Sequence, residues 1–158
     1  MKKTLLTLLV IASLFISCSS NDDTPVDTPV DPIIGKWQDL KTIYHLDNGG
    51  VYQMDETNQK CNFLSTREFL ADGTVVHFFY TGQNDCILEV NDYEYFNWSN
   101  EGDGNYTVTL KRADINEEVF TEKAFFYDNN NKFYSKDNDT GTANSEPFTG
   151  SEYHYKKI

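Results

Sequence analysis

Asn105-Tyr106-Thr107-Val108-Thr109-Leu110-Lys111 alternates without a break, Tyr106, Val108 and Leu110 on one face and Thr107, Thr109 and Lys111 on the other. A period of two, carried by aromatic and β-branched side chains, marks a strand with one face toward a core and one toward water. Working outward, the same signal recurs at 36–45, 50–54, 62–71, 74–81, 86–98, 117–127, 131–136 and 151–157. Asn48-Gly49-Gly50, Asp72-Gly73, Gly102-Asp103-Gly104 and Asp128-Asn129-Asn130-Asn131 separate these runs and tolerate positive φ. From Ile33 onward no long segment carries apolar residues at helical spacing. The pattern predicts an all-β fold, a small antiparallel up-and-down meander of about eight strands, which closure into a barrel would free of exposed edges.

The Asp72-Gly73 hairpin admits a register test. A two-residue turn there pairs Glu68 with His77 and Thr66 with Phe79, and turns Phe63, Phe69 and Ala71 to the same side as Val76, Phe78 and Tyr80. Arg67 then faces inward opposite Phe78, and Cys61 falls close to Cys86 on one face. A three-residue loop with a bulge would change the parity, and both alternatives stand on sequence grounds.

With 158 residues the chain holds one ordinary domain. Its 25 acidic against 13 basic side chains give a net charge of -12, which disfavours nucleic acid or an anionic headgroup as partner. The aromatic fraction of 15% with only four Pro suits a packed β-rich body better than a disordered one.

The N-terminus carries an address. Lys2 and Lys3 precede a short apolar run, Leu5 to Ile16, too brief for a span of about 20 residues. A basic start, a short apolar stretch and small residues at its end read as a secretory signal over 1–17. Phe15-Ile16-Ser17-Cys18 resembles the bacterial lipobox, which implies that Cys18 takes the lipid and becomes the first mature residue. The following Ser19-Ser20-Asn21-Asp22-Asp23 is similar to the surface-export signal of Bacteroidota lipoproteins, implying an outer-membrane lipoprotein exposed at the cell surface. Thr24 to Pro32 reads TPVDTPVDP, a Pro/Asp-rich linker whose prolines oppose helix and sheet pairing. With Cys18, residues 18–32 form a tether reaching on the order of 40 Å, ahead of a body over 33–158.

If Cys18 carries the lipid, Cys61 and Cys86 are the remaining pair, expected as a disulfide in an oxidising envelope. A metal site using both thiolates with His77 lacks ligands at close spacing. His45, His77 and His154 are isolated from one another and are expected on strand surfaces. Asp137-Asn138-Asp139-Thr140-Gly141 starts like a calcium loop, but Thr142 and Phe148 replace the required Gly and Glu, so a solvated acidic loop is expected. No nucleophile elbow or phosphate loop occurs, so no enzyme activity, metal or cofactor is expected.

Ile33-Ile34-Gly35-Lys36-Trp37 resembles the Gly-x-Trp opening of lipocalins and their calycin relatives, in which the Trp plugs one barrel end. Cys61, Phe69-Leu70-Ala71-Asp72-Gly73-Thr74, Cys86, Trp98 and Tyr153-x-Tyr155-Lys156 are similar, in order and spacing, to short lipocalin-like domains of Bacteroidota lipoproteins, over nearly all of 33–158. The resemblance implies a small lipocalin-like barrel with Trp37 as its plug. Arg67 stands where those domains carry an aliphatic residue, and an extra residue between Trp37 and Leu40 predicts a bulge.

An eight-stranded barrel either holds one small ligand or is filled by its own side chains. The leading expectation is a small hydrophobic or amphipathic ligand, with Arg67 anchoring the carboxylate of an acidic lipid and Tyr80, Trp98 and Tyr106 as apolar walls. The simpler alternative puts Arg67 near a rim or in solvent. The rival function is a surface interaction or assembly subunit with a filled barrel. An envelope hydrolase ranks third.

Overall fold

Backbone pairing in a computed structural model organises the chain, which is described over residues 29–82, 85–89, 93–112 and 116–158. The signal segment, Cys18 and most of the Pro/Asp-rich linker lie outside the described residues. The strands are β1 (Gly35–Leu46), β2 (Val51–Asp55), β3 (Thr66–Phe69), β4 (Val75–Thr81), β5 (Ile87–Glu89) and β6 (Tyr93–Gly102). They continue with β7 (Asn105–Arg112), β8 (Glu118–Lys123), β9 (Phe125–Tyr127), β10 (Lys132–Ala143) and β11 (Glu146–Lys157). A single 3-10 turn, Asn62–Leu64, precedes β3.

Every ladder is antiparallel, and the order follows the chain around a ring. β5, β4, β3, β1, β11, β10 and β9 form one sheet, with β2 on β1 beyond β3; β6, β7 and β8 form another. β8 runs into β9 through Ala124, whose N–H donates to the Gly104 carbonyl at 2.8 Å. On the far side the Thr74–Asn97 bridge and the Trp98 N–H to the Gly73 carbonyl, at 2.7 Å, tie β6 to the β3–β4 turn. β1 closes the ring by pairing with β11 from Trp37–Lys157 to Leu46–Phe148. This is the all-β, up-and-down order expected of a lipocalin-like barrel.

One half of the barrel is packed solid. Trp37 is fully buried with Ile33, Phe69, Val75, Tyr106, Phe133 and Tyr155. Its ring meets Phe133 edge-on at 4.8 Å, Phe133 stacks on Tyr155 at 4.6 Å, and the indole N–H donates to the Ile33 carbonyl at 2.6 Å. Such edge and offset contacts suit aromatic quadrupoles, and the indole donor is satisfied rather than stranded.

Three local expectations change. The β3–β4 ladder pairs Thr66 with Phe78, Arg67 with His77 and Glu68 with Val76, so the two-residue register is wrong by one. The Leu70 N–H bonds to Thr74 and the Gly73 N–H to Leu70, which closes a three-residue loop with Gly73 at φ 86°. Residues 86–98, read as one strand, divide into β5 and β6. The acidic run 137–141, expected as a loop, lies inside β10, which reverses into β11 through Asn144 and Ser145 at φ 51° and 68°. Two consecutive positive φ values mark a primed hairpin turn, here built without glycine.

The bulge near Trp37 is present. Asp39 faces Tyr155 and Lys41 faces His154, which leaves Leu40 as the extra residue. Cys61 and Cys86 form a disulfide with Cα atoms 5.0 Å apart, despite the changed register. Cys86→Ser should lower unfolding free energy by about 3 to 4 kcal/mol for a loop of this length. Urea titration of both proteins checks it, and equal midpoints would show that the bridge constrains nothing.

Candidate functional site

Inward-facing positions of β1, β3, β4 and β11 converge at mid-barrel. Arg67 on β3 is flanked across the ladders by Trp37 and His77, and its guanidinium lies over the Tyr155 ring at 4.6 Å. Burial works against the Arg67 charge, but the fields of Tyr155, Asp39 and Glu122 outweigh it and hold the group more firmly protonated than usual. The sequence alternative that Arg67 points into solvent is thereby set aside.

Asp39 lies two residues after Trp37 on the same inward face of β1. Burial raises its pKa and the Arg67 charge only partly counters that. Its Oδ1 is shut off from solvent and accepts no hydrogen bond. His77, facing Arg67, is pushed down to about 4 by burial first and by the Arg67 charge second. Its ring packs near Phe79 and Phe96, with centroids 5.9 and 6.1 Å away. His77 is therefore an interior neutral imidazole, not a surface one. His154, also expected on a strand surface, is on the outer face but buried beneath Tyr134, which stacks on it at 5.1 Å.

Two cavities are bordered by Arg67, and a third lies beside Glu122 and Tyr153. The one toward the packed half, bordered by Arg67, Phe69, Tyr106, Glu122 and Phe133, is about 20 Å³, room for one water. Toward the other end a cavity of about 230 Å³ is lined by Asp39, Lys41, Tyr44, Phe63, Arg67, Phe79 and Tyr153. A third, of about 330 Å³, lies between β8 and β10 and is bordered by Phe120, Glu122, Ser135, Lys136, Asp137 and Tyr153. Tyr153 borders both larger spaces, and burial pushes its phenol up to about 12, so it stays protonated. A further open cleft of about 520 Å³ lies over Tyr44, Tyr52, Asp139 and Phe148.

The lateral cavity exists because the ring is incompletely zipped. Among the described residues β8 pairs only with β7, and β10 pairs on that side only through Lys132–Tyr134 with β9. Both edges carry acids at the gap: Glu122 on β8 and Asp137 on β10 border the same space. Like charges across a prospective ladder disfavour pairing and protect open edges from other strands.

Of the residues expected to form one ligand site, Arg67 and Tyr106 border one small cavity, Trp98 packs on Tyr106, and Tyr80 lies apart. Tyr106 is in the packed half, its hydroxyl donating to Asp31 Oδ1 at 2.8 Å, and it borders only the one-water cavity. Trp98 donates its indole N–H to the Leu70 carbonyl at 2.9 Å and packs on Phe69 and Tyr106. Tyr80 pairs with Leu88, on the opposite face of β4 from Phe79. Neither Trp98 nor Tyr80 borders these cavities, so an Arg67 anchor walled by Tyr80, Trp98 and Tyr106 is not the geometry present. The reason is parity: the extra loop residue rotates β4 by one position and carries Tyr80 outward.

Asp39, Glu122 and Tyr153 are the site residues the sequence reading missed. Period two from Trp37 would have found Asp39, and the same count back from Ala124 would have found Glu122. On the outer face Glu152 meets Lys136 at 2.9 Å, His154 at 3.3 Å and His45 at 3.4 Å. Among the described residues no group of three His, Cys, Asp or Glu is placed to hold a metal ion.

No protein-family model and no curated relative matches the chain. Among solved structures it is similar to insecticyanin from the tobacco hornworm Manduca sexta, at 12% identity and a TM-score of 0.44, over 83% of this chain and 64% of that one. The chain thus spans less than two thirds of that structure. The barrel class rests on the strand order and its closure by β1 and β11.

His77 makes stability pH-dependent. Its folded pKa lies below the unfolded value near 6.5, so the unfolded chain binds the proton more readily between those values. Its contribution to stability is complete above about 6.5 and is lost as pH falls toward 4. Thermal unfolding of His77→Phe against wild type across that window should show a shallower decline in the variant, and parallel curves would remove His77 as the source.

Proposed function

We propose that the chain is a lipid-anchored, lipocalin-like protein of the outer membrane, facing outward, that binds a small hydrophobic or amphipathic molecule in the open half of its barrel. The observation that carries the binding reading is the pair of cavities of about 230 and 330 Å³ that share Tyr153. Together they reach the size range of small-molecule sites, and aromatic side chains supply much of their lining. The packed half acts as a floor and the unzipped β8–β10 edge as a side opening. Anchoring rests on the lipobox-like Phe15-Ile16-Ser17-Cys18 and the acidic residues after it.

Apolar side chains left in solvent support a second reading, a protein-interaction module. Val119 on β8 is 59% exposed and Ile87 on β5 65%, with Leu88 beside it.

The lipoprotein reconstituted in nanodiscs should bind the neutral probe N-phenyl-1-naphthylamine saturably, with empty nanodiscs subtracted. Ser135→Trp, which fills the lateral cavity, should weaken binding at least fivefold. Absence of saturable binding would favour the interaction reading. Cys18→Ala should move the protein out of the detergent phase, and wild-type partitioning of that variant would overturn the anchor.

A further inference from the structure

Asp39, Glu122 and Asp137 border the two cavities of the open half together with Arg67, Lys41 and Lys136, and one buried Asp39 oxygen lacks a donor. We infer that the ligand's polar head is a cationic amine, not the carboxylate that Arg67 alone would invite. This deepens the small-molecule reading and rests on it. Three observations converge.

The first is the charge count around Arg67. Two acidic groups, Asp39 and Glu122, act on one guanidinium. Arg67 also lies against the Tyr155 face, so its field is already answered from within the chain. An incoming carboxylate would meet Asp39 and Glu122 before gaining from Arg67, whereas an ammonium group adds the missing positive charge.

The second is Asp39 itself. It lines the cavity of about 230 Å³, and its Oδ1 is buried without a hydrogen bond. A buried carboxyl oxygen without a donor is costly, and a ligand N–H donated where Asp39 lines the cavity offsets that cost. Lys41 also borders this cavity but does not meet the need: past the bulge it pairs with His154 and Asp55, and its charge acts on those two residues. His77 is neutral above its low pKa and adds no charge at neutral pH.

The third is the side opening. Glu122 and Asp137 line the lateral cavity, and the one cation there, Lys136, is held by Glu152 at 2.9 Å. A mouth of net negative charge on a chain of net charge -12 attracts cations and repels anions. Tyr153, Phe79 and Phe63 then offer ring surfaces along the path inward, which suit both an ammonium and a short alkyl chain.

Head-group chemistry is separable from binding as such. Hexylamine, hexanol and hexanoate share one short chain and would compete with N-phenyl-1-naphthylamine on the nanodisc-held lipoprotein at neutral pH. Hexylamine should displace the probe at a concentration at least tenfold below hexanoate, with hexanol between them. Asp39→Asn should weaken hexylamine at least fivefold and leave hexanol within twofold. Glu122→Gln should act in the same direction and keeps the test open if Asp39→Asn fails to fold. A probe that binds but yields equally to hexylamine and hexanoate would overturn the amine inference and leave the pocket standing. A probe that does not bind at all would overturn both.

Discussion

The ladder between the first and last strands fixes everything inside this barrel. β1 and β11 run antiparallel from Trp37–Lys157 to Leu46–Phe148, and further bonds from Ile158 to Lys36 and from Lys157 to Asn131 seal the end. Closure decides which face of β1 is interior, and a strand has only two choices. The bulge at Leu40 lets β1 make both. Before it, Trp37 and Asp39 point inward; after it, Thr42 and Tyr44 do, while Lys41 and His45 go outside. Unbulged alternation would have carried Lys41 into the interior beside Arg67, two cations facing each other in a low-dielectric space.

From that constraint follows the division of the barrel into unlike halves. On the Trp37 side the inward positions are Phe69, Tyr106, Phe133 and Tyr155, large enough to exclude all but one water. Beyond them the small polar residues Thr42, Ser65, Ser135 and Ser151 are buried alongside Phe63 and Phe148. Small polar side chains cannot fill a barrel interior, so space remains, and they bond locally instead: Ser65 Oγ accepts from the Tyr80 N–H at 3.0 Å, and Ser151 Oγ donates to Asp139 at 2.7 Å. The same half lacks a β8–β10 ladder among the described residues, and Glu122 and Asp137 face the gap. Size and charge therefore open one half by separate routes.

Much of this was legible in the chain, because alternation reports burial directly. Tyr106 and Val108 are buried as the Asn105–Lys111 pattern required, and the Asp128-Asn129-Asn130 turn adopts positive φ throughout. What failed was parity and length. One extra residue in the Phe69–Val75 connection reverses every assignment on β4, so His77 went inside and Tyr80 outside. The long β10–β11 hairpin was hidden because its turn, Asn144-Ser145, has no glycine and its strands carry Asp137 and Asp139, whose composition reads as loop. Arg67 stood out as a charge among aromatics, yet Asp39 did not. A carboxylate in an acidic chain is unremarked until an adjacent strand shows which way it points.

Burying Arg67 also explains why the interior is arranged as it is. A guanidinium removed from water needs compensation, and an isolated one would destabilise the fold by several kcal/mol. The Tyr155 face, Asp39 and Glu122 supply that compensation. An aliphatic residue at this position would remove the cation but leave Asp39 and Glu122 without it, so Arg67→Leu calls for changes at both. Nor does the set close on itself, because Asp39 Oδ1 still lacks a donor. A barrel evolved only to pack would replace all three with apolar residues of similar volume, a change that is often neutral or stabilising in proteins. Asp39 and Arg67 are instead kept beside about 230 Å³ of open space, a polar pair that packing alone does not require.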